Sequence, residues 1–190
     1  MLLGLTGGIG AGKSSALAAF GRQGCPTLSS DAVVHGLYRE PEVRSAVVAR
    51  FGPGVLGVDG EVCRSAVATR VFSDDIARRW LERLLHPLVA AAFERWRREQ
   101  DALHPDAVLV HEVPLLYEAN LADRYDAVVL ITAPDAVRRG RAPERFDERA
   151  AAQLPEAQKV ARAEYVYVND GTLADLERWV ADLVARLRAA

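Results

Sequence analysis

Residues 5–15 read LTGGIGAGKSS, and Gly7 to Ser14 fits G-x-x-x-x-G-K-[ST] at every fixed position. The short apolar run MLLGL precedes it, and KSSALAAFGRQG follows with Ala16, Leu17 and Phe20 at helical spacing. Strand, glycine turn and helix in that order form the setting in which this motif holds phosphate. Glycines let the backbone turn its N–H groups inward as an anion nest. The helix start adds unpaired N–H groups and the positive end of a dipole. Gly8, Gly10, Ala11, Gly12, Lys13, Ser14 and Ser15 are therefore the candidate residues for binding a nucleoside triphosphate. Lys13 is suited to bridge the β- and γ-phosphates, and Ser14 to offer a hydroxyl to Mg²⁺. Of 24 basic residues only Lys13 and Lys159 are lysines. A compact ammonium enters a tight loop where a planar guanidinium fits poorly.

The bulk composition sets few other demands. A chain of 190 residues, half apolar and 26% charged, is one globular domain's worth. A net charge of −2 supplies no basic field for nucleic acid, so no nucleic-acid partner is expected. Cys25 and Cys63 have neither metal-ligand spacing nor a disulfide framework, which fits a reduced, cytoplasmic setting. No signal peptide is expected, and the longest apolar segment, LLHPLVAAAF (84–93), is too short to span a bilayer. No membrane partner is expected either.

Outward from the loop, CPTLS reads as a second short strand and SDAVVHGLY as a helix opened by Ser30 or Asp31. Gly21 or Gly24 suits the C-cap of the first helix. Residues 42–104 carry helical patterns and no convincing strand. PEVRSAVVARFG and EVCRSAVATRVFS read as helices, with the turn-rich FGPGVLGVDG between them. Residues 74–103 form a long amphipathic pattern in which Pro87 predicts a kink or break. AVLVHEVPLL (107–116), DAVVLITA (126–133) and YVYVND (165–170) are apolar runs of the kind found in buried parallel strands. TLADLERWVADLVARLRAA closes the chain as a helix. The alternation predicts an α/β three-layer fold with a parallel sheet. It spans 1–190 as one domain, with a helical insertion at 55–100 and a lid at 138–153.

Phosphoryl transfer to a small acceptor needs a base, a second carboxylate near the metal and mobile arginines. Asp31, just past the second strand, reads either as that base or as a plain helix N-cap. Glu112 ends VLVHE, where a carboxylate orients metal-bound water. Strand alternation sends one of His111 and Glu112 toward the ligand crevice and the other away, and His111 reads as structural. Arg138, Arg141 and Arg145 lie where a lid would place charge on the transferring group. The guanine-reading pattern N-K-x-D has only Asn120-Leu121-Ala122-Asp123 as its nearest approach, without the lysine.

Together these stretches resemble the dephospho-coenzyme A kinase family over nearly the whole chain. LTGGIGAGKSS is similar to its phosphate loop, SDAVVHGLY to its catalytic-aspartate segment, and FGPGVLGVDGEVCR to its D-G-x-L-D-R block. LERLLHPLV, EVPLLYEANL, RAAAQLP and YVYVNDGTLADLE resemble its later blocks in the same order. The resemblance implies a P-loop kinase core with a helical substrate-binding insertion and a lid. It implies Mg²⁺- and ATP-dependent transfer of the γ-phosphoryl group to the 3′-hydroxyl of dephospho-CoA, the last step of CoA synthesis. It makes Asp31 the base and Lys13 its catalytic partner, with Glu112 serving the metal through water. Arg64, His86, Leu115, Tyr117 and Glu118 fall in blocks that line or support the acceptor site, and Asn169 near the adenine end. Bland readings stand beside these: core packing for Leu115 and Tyr117, a helix kink for His86, ion pairs for Arg64 and Glu118. The chain departs from the family at Glu112, where the family has Asp, at Val62-Cys63 in place of Leu-Asp, and in a shorter lid interrupted by Pro143. The rival readings are another P-loop nucleoside or metabolite kinase, and a nucleotide-binding switch without transfer. A monomer or weak homo-oligomer is expected.

Overall fold

The computed structural model describes residues 1–72, 74–144 and 146–189. Ser73, Arg145 and Ala190, each within a segment interpreted above, lie outside the described residues. The chain groups into two compact units, one of residues 1–29 with 100–190 and the other of residues 30–99. The helical unit thus begins at Ser30, directly after the second strand.

The elements run β1 (Leu2–Gly7), α1 (Lys13–Arg22), β2 (Thr27–Ser29), α2 (Ser30–Leu37), α3 (Pro41–Phe51), α4 (Arg64–Phe72), α5 (Asp75–Leu103), β3 (Leu109–Glu112), β4 (Ala127–Thr132), α6 (Asp135–Arg141), α7 (Phe146–Ala151), α8 (Glu156–Val160), β5 (Tyr165–Val168) and α9 (Leu173–Arg188). The five strands form one parallel sheet in the order β2-β3-β1-β4-β5. The expected three-layer α/β fold is the observed one. Every residue of β1, β3 and β4 is buried, as parallel strands covered on both faces require.

Alternation along β4 divides the core of this unit. Val129 and Ile131 join Leu3, Leu5 and Val110 against α1 and α9, while Val128 packs with Val113, Leu116 and Tyr117. From α9 come Leu176, Val180, Leu183 and Val184, a stripe at i, i+4, i+7 and i+8. Its start is fixed by a capping box between Thr172 and Asp175. At the other helix of this layer, Cys25 N–H bonds the Phe20 carbonyl and Gly24 N–H the Gly21 carbonyl, a Schellman end. Gly24, at φ 74, takes the left-handed position such an end needs.

The strand expected over 107–116 is paired as a strand only over Leu109–Glu112. Val113 still donates to Leu5, but Pro114 has no N–H to continue the ladder. The helical unit has its own core of Tyr38, Val43, Val47, Val55, Val67, Leu81 and Leu85. Phe51 and Trp80 meet edge to face with centroids 5.5 Å apart. Pro87 does not break α5, which continues through it from Asp75 to Leu103. Proline removes one donor, and the helix is anchored before it by Leu81 and Leu85 and after it by Phe93. The 57–61 turn is closed by a bridge between Leu56 and Val62, a pairing the sequence pattern does not reveal.

Leu183→Ala should cost roughly 2–5 kcal/mol by urea unfolding, because it opens a cavity under a fully buried position. Leu173→Ala, at an exposed position of the same helix, should stay within about 0.5 kcal/mol of wild type.

Candidate active site

The phosphate loop joins β1 to α1 and is tight because other segments press on it. Gly10 and Gly12 have φ 72 and 99. A Cβ at Gly10 would strike the Arg138 carbonyl, and one at Gly12 the Asn169 amide. Glycine is required at both for conformation and for space. The Lys13 ammonium arches back over the loop, donating to the carbonyls of Gly7 (3.1 Å) and Gly8 (3.3 Å). Ser14 and Ser15 occupy the first turn of α1, whose N–H groups open toward the loop.

Asn169 follows β5, next to β4 in the sheet. Its amide donates to the Ala11 carbonyl at 2.8 Å, and its own carbonyl accepts from Arg141 Nη1 at 3.1 Å. Arg138 lies over the other side of the loop, its guanidinium against Gly8. That guanidinium is mostly buried and pairs with Asp135 and with Glu156 (3.5 Å). Arg138 and Arg141 are thus both brought to the loop, one with its charge balanced by carboxylates and one bonded to a carbonyl. Arg145, the third candidate, lies outside the described residues. Arg139 instead forks onto Asp147 at 2.7 and 2.9 Å on the surface.

At the end of β3 the two neighbouring polar residues take different partners. Glu112 is buried and accepts from Ser29 Oγ at 2.8 Å across the β2–β3 register. His111 is buried with Nδ1 2.8 Å from the Tyr125 hydroxyl. Desolvation, helped by the Arg124 charge, pushes the His111 pKa down to about 4.

The turn after β3 holds three acceptor candidates in three environments. Leu115 is exposed, Tyr117 is buried with Arg162 over its ring at 4.4 Å, and Glu118 is half-buried. The Glu118 carboxylate accepts from Leu154 N–H at 2.8 Å and faces Lys159. In the helical unit, Asp31 lies in the first turn of α2, Arg64 opens α4 and His86 sits on α5, all exposed.

Two contacts escaped the sequence reading. Gln153 Oε1 accepts from Ile9 N–H in the loop at 3.2 Å, and Lys159 is wholly enclosed. Gln153 lies in the RAAAQLP block and Lys159 is the second lysine in an arginine-rich chain, but neither signal names its partner.

A family model described as dephospho-CoA kinase matches residues 1–175. The chain belongs to the dephospho-CoA kinase family. Among its relatives, the dephospho-CoA kinase of Anaeromyxobacter dehalogenans is 40% identical, the match covering 98% of this chain and 92% of that one. That of Rhodopseudomonas palustris is 38% identical, covering 98% and 97%. Among solved structures, TT1252 from Thermus thermophilus superposes with a TM-score of 0.80 at 32% identity, covering 98% and 97%. A Campylobacter jejuni dephospho-CoA kinase gives 0.75 at 19% identity, covering 99% and 97%, and supports the fold alone. Membership of the dephospho-CoA kinase family makes the protein an ATP-dependent kinase.

The buried imidazole makes stability pH-dependent. The folded pKa near 4 lies below the ordinary 6.5, so the unfolded chain takes the proton first as pH falls. The contribution of His111 is full above about pH 6.5 and is lost toward pH 4, by up to about 3 kcal/mol. Urea midpoints across that window should fall more steeply for wild type than for His111→Gln; parallel slopes would contradict the assignment.

Proposed function

We propose that the protein transfers the γ-phosphoryl group of ATP to the 3′-hydroxyl of dephospho-CoA, giving CoA and ADP. The observation that carries this reading is the phosphate loop, roofed by Arg138, Arg141 and Asn169, in a chain that matches the family over residues 1–175.

Each role follows from chemistry already described. Loop amides, the start of α1 and Lys13 hold the β- and γ-phosphates. Asn169 and Arg141 serve the nucleotide at the β5 side of the loop. Arg138 covers the loop with its charge shared among carboxylates, and Arg141, bonded to a neutral carbonyl, contributes charge toward the transferring group. Asp31 accepts the proton of the 3′-hydroxyl as that oxygen bonds to the γ-phosphorus, and ADP leaves. Arg64 and His86 on the helical unit, with Leu115 and Tyr117 on the turn after β3, bind or support the acceptor; Glu118 supports that turn. Residues 55–100, most of them in the helical unit, form the acceptor-binding insertion and 138–153 the lid.

Among the described residues no group of three or more His, Cys, Asp or Glu side chains could hold a metal. Mg²⁺ carried with a nucleotide needs only one or two protein oxygens beside phosphate. The Ser14 hydroxyl and the Glu112 carboxylate, the latter through water, are donors of that kind, so the residues fit. When bound, Mg²⁺ neutralises charge on the β- and γ-phosphates. No helix among the described residues is long and apolar enough to cross a membrane. A cytoplasmic monomer or weak homo-oligomer completes the reading.

ADP release by purified protein should rise sharply with dephospho-CoA and not with shikimate, the ligand named for a kinase of the same fold. Equal release with and without dephospho-CoA would overturn the reading. Lys13→Ala should abolish turnover. Asp31→Asn should retain ATP binding and lower kcat by roughly 10²–10⁴; wild-type turnover would leave Asp31 as a helix-start residue only.

A further inference from the structure

Lys159, on α8, has a side chain with 0% exposure. Its Nζ lies 2.8 Å from Glu118 Oε1. The contact is an ion pair. The same carboxylate oxygen accepts from Leu154 N–H at 2.8 Å. Burial alone would raise the Glu118 pKa, but Lys159 and the Leu154 amide outweigh it and hold the carboxyl below its ordinary value.

Stability alone does not account for such a pair. Buried ion pairs are commonly replaceable by apolar side chains at no cost, because desolvation cancels their attraction. What the pair does supply is a fixed distance between two segments. Glu118 belongs to the turn 113–121, which packs Leu116 and Tyr117 into the sheet and leaves Leu115 exposed. Leu154 adjoins Gln153, which bonds Ile9 N–H of the phosphate loop. On α8 itself, Glu156 reaches Arg138, whose guanidinium lies on Gly8. Residues 153–159 therefore touch the turn on one side and the phosphate loop on the other. A lysine suits this enclosed place because a compact ammonium has three protons to satisfy where a guanidinium has five.

We infer that Lys159 is a positioning residue, which with Glu118 locks the turn 113–121 at a fixed spacing from the phosphate loop. The inference rests on the reading that this turn meets dephospho-CoA. Lys159 touches no substrate; it acts through Glu118.

The test is a cycle of Lys159→Met, Glu118→Gln and the double variant, with kcat and KM measured for dephospho-CoA, ADP affinity by calorimetry, and unfolding temperature. Glu118→Gln keeps an acceptor for Leu154 N–H and removes only the charge. The double variant removes both charges of the pair, so it decides the matter if a single variant does not fold. The expected result is a roughly 10- to 100-fold loss in kcat/KM for dephospho-CoA, with ADP affinity retained and the double variant no worse than the worse single one. Wild-type kcat and KM in folded variants, whatever their unfolding temperature, would overturn the inference, as would equal losses toward both substrates. Wild-type protein that fails to phosphorylate dephospho-CoA would instead overturn the proposed function, so the two failures are distinct.

Discussion

The hydrogen bond from Asn169 to the Ala11 carbonyl joins residues 158 positions apart, and the site is built around it. It fixes the phosphate loop from the side of β5, while Arg141 adds a second bond to the same asparagine. A side chain at Gly12 would displace that asparagine, so the glycine pattern of the motif and the polar residue after β5 form one constraint. The parallel order β3-β1-β4-β5 makes the arrangement possible, since it brings the ends of distant strands to one edge of the sheet.

The remaining supports of the loop come from residues 138–156. Arg138 covers Gly8, and Gln153 takes the Ile9 amide. Their balance differs from what a run of basic residues suggests. Among the described side chains, Arg138 has its charge neutralised by Asp135 and Glu156 and Arg139 by Asp147, whereas Arg141 is bonded to a neutral carbonyl. Charge in this segment is thus directed by pairing rather than by the number of arginines.

Much of this was legible in local pattern. The loop, β1, α1, β4 and α9 declare themselves through a fixed motif, apolar runs and a helical stripe, all signals carried within a few residues. The paired extent of β3 was overestimated because the apolar run continues past Glu112, while Pro114 ends the ladder. The break expected at Pro87 is absent because helix continuity depends on buried anchors on both sides, which periodicity does not weigh. The partners of Lys159 and Gln153 lie 41 and 144 residues away, and no local signal names them. Glu118 shows the same limit: its block resembles one that lines or supports the acceptor site, and nothing local indicates that its Oε1 faces Lys159 and accepts from Leu154 N–H.

The central claim is the identity of the bond formed. Phosphorus NMR of dephospho-CoA incubated with ATP, Mg²⁺ and the protein should show a new phosphomonoester coupled to the ribose 3′-proton, in equal amount to ADP. ADP appearing without that resonance, or dephospho-CoA recovered unchanged, would contradict the account.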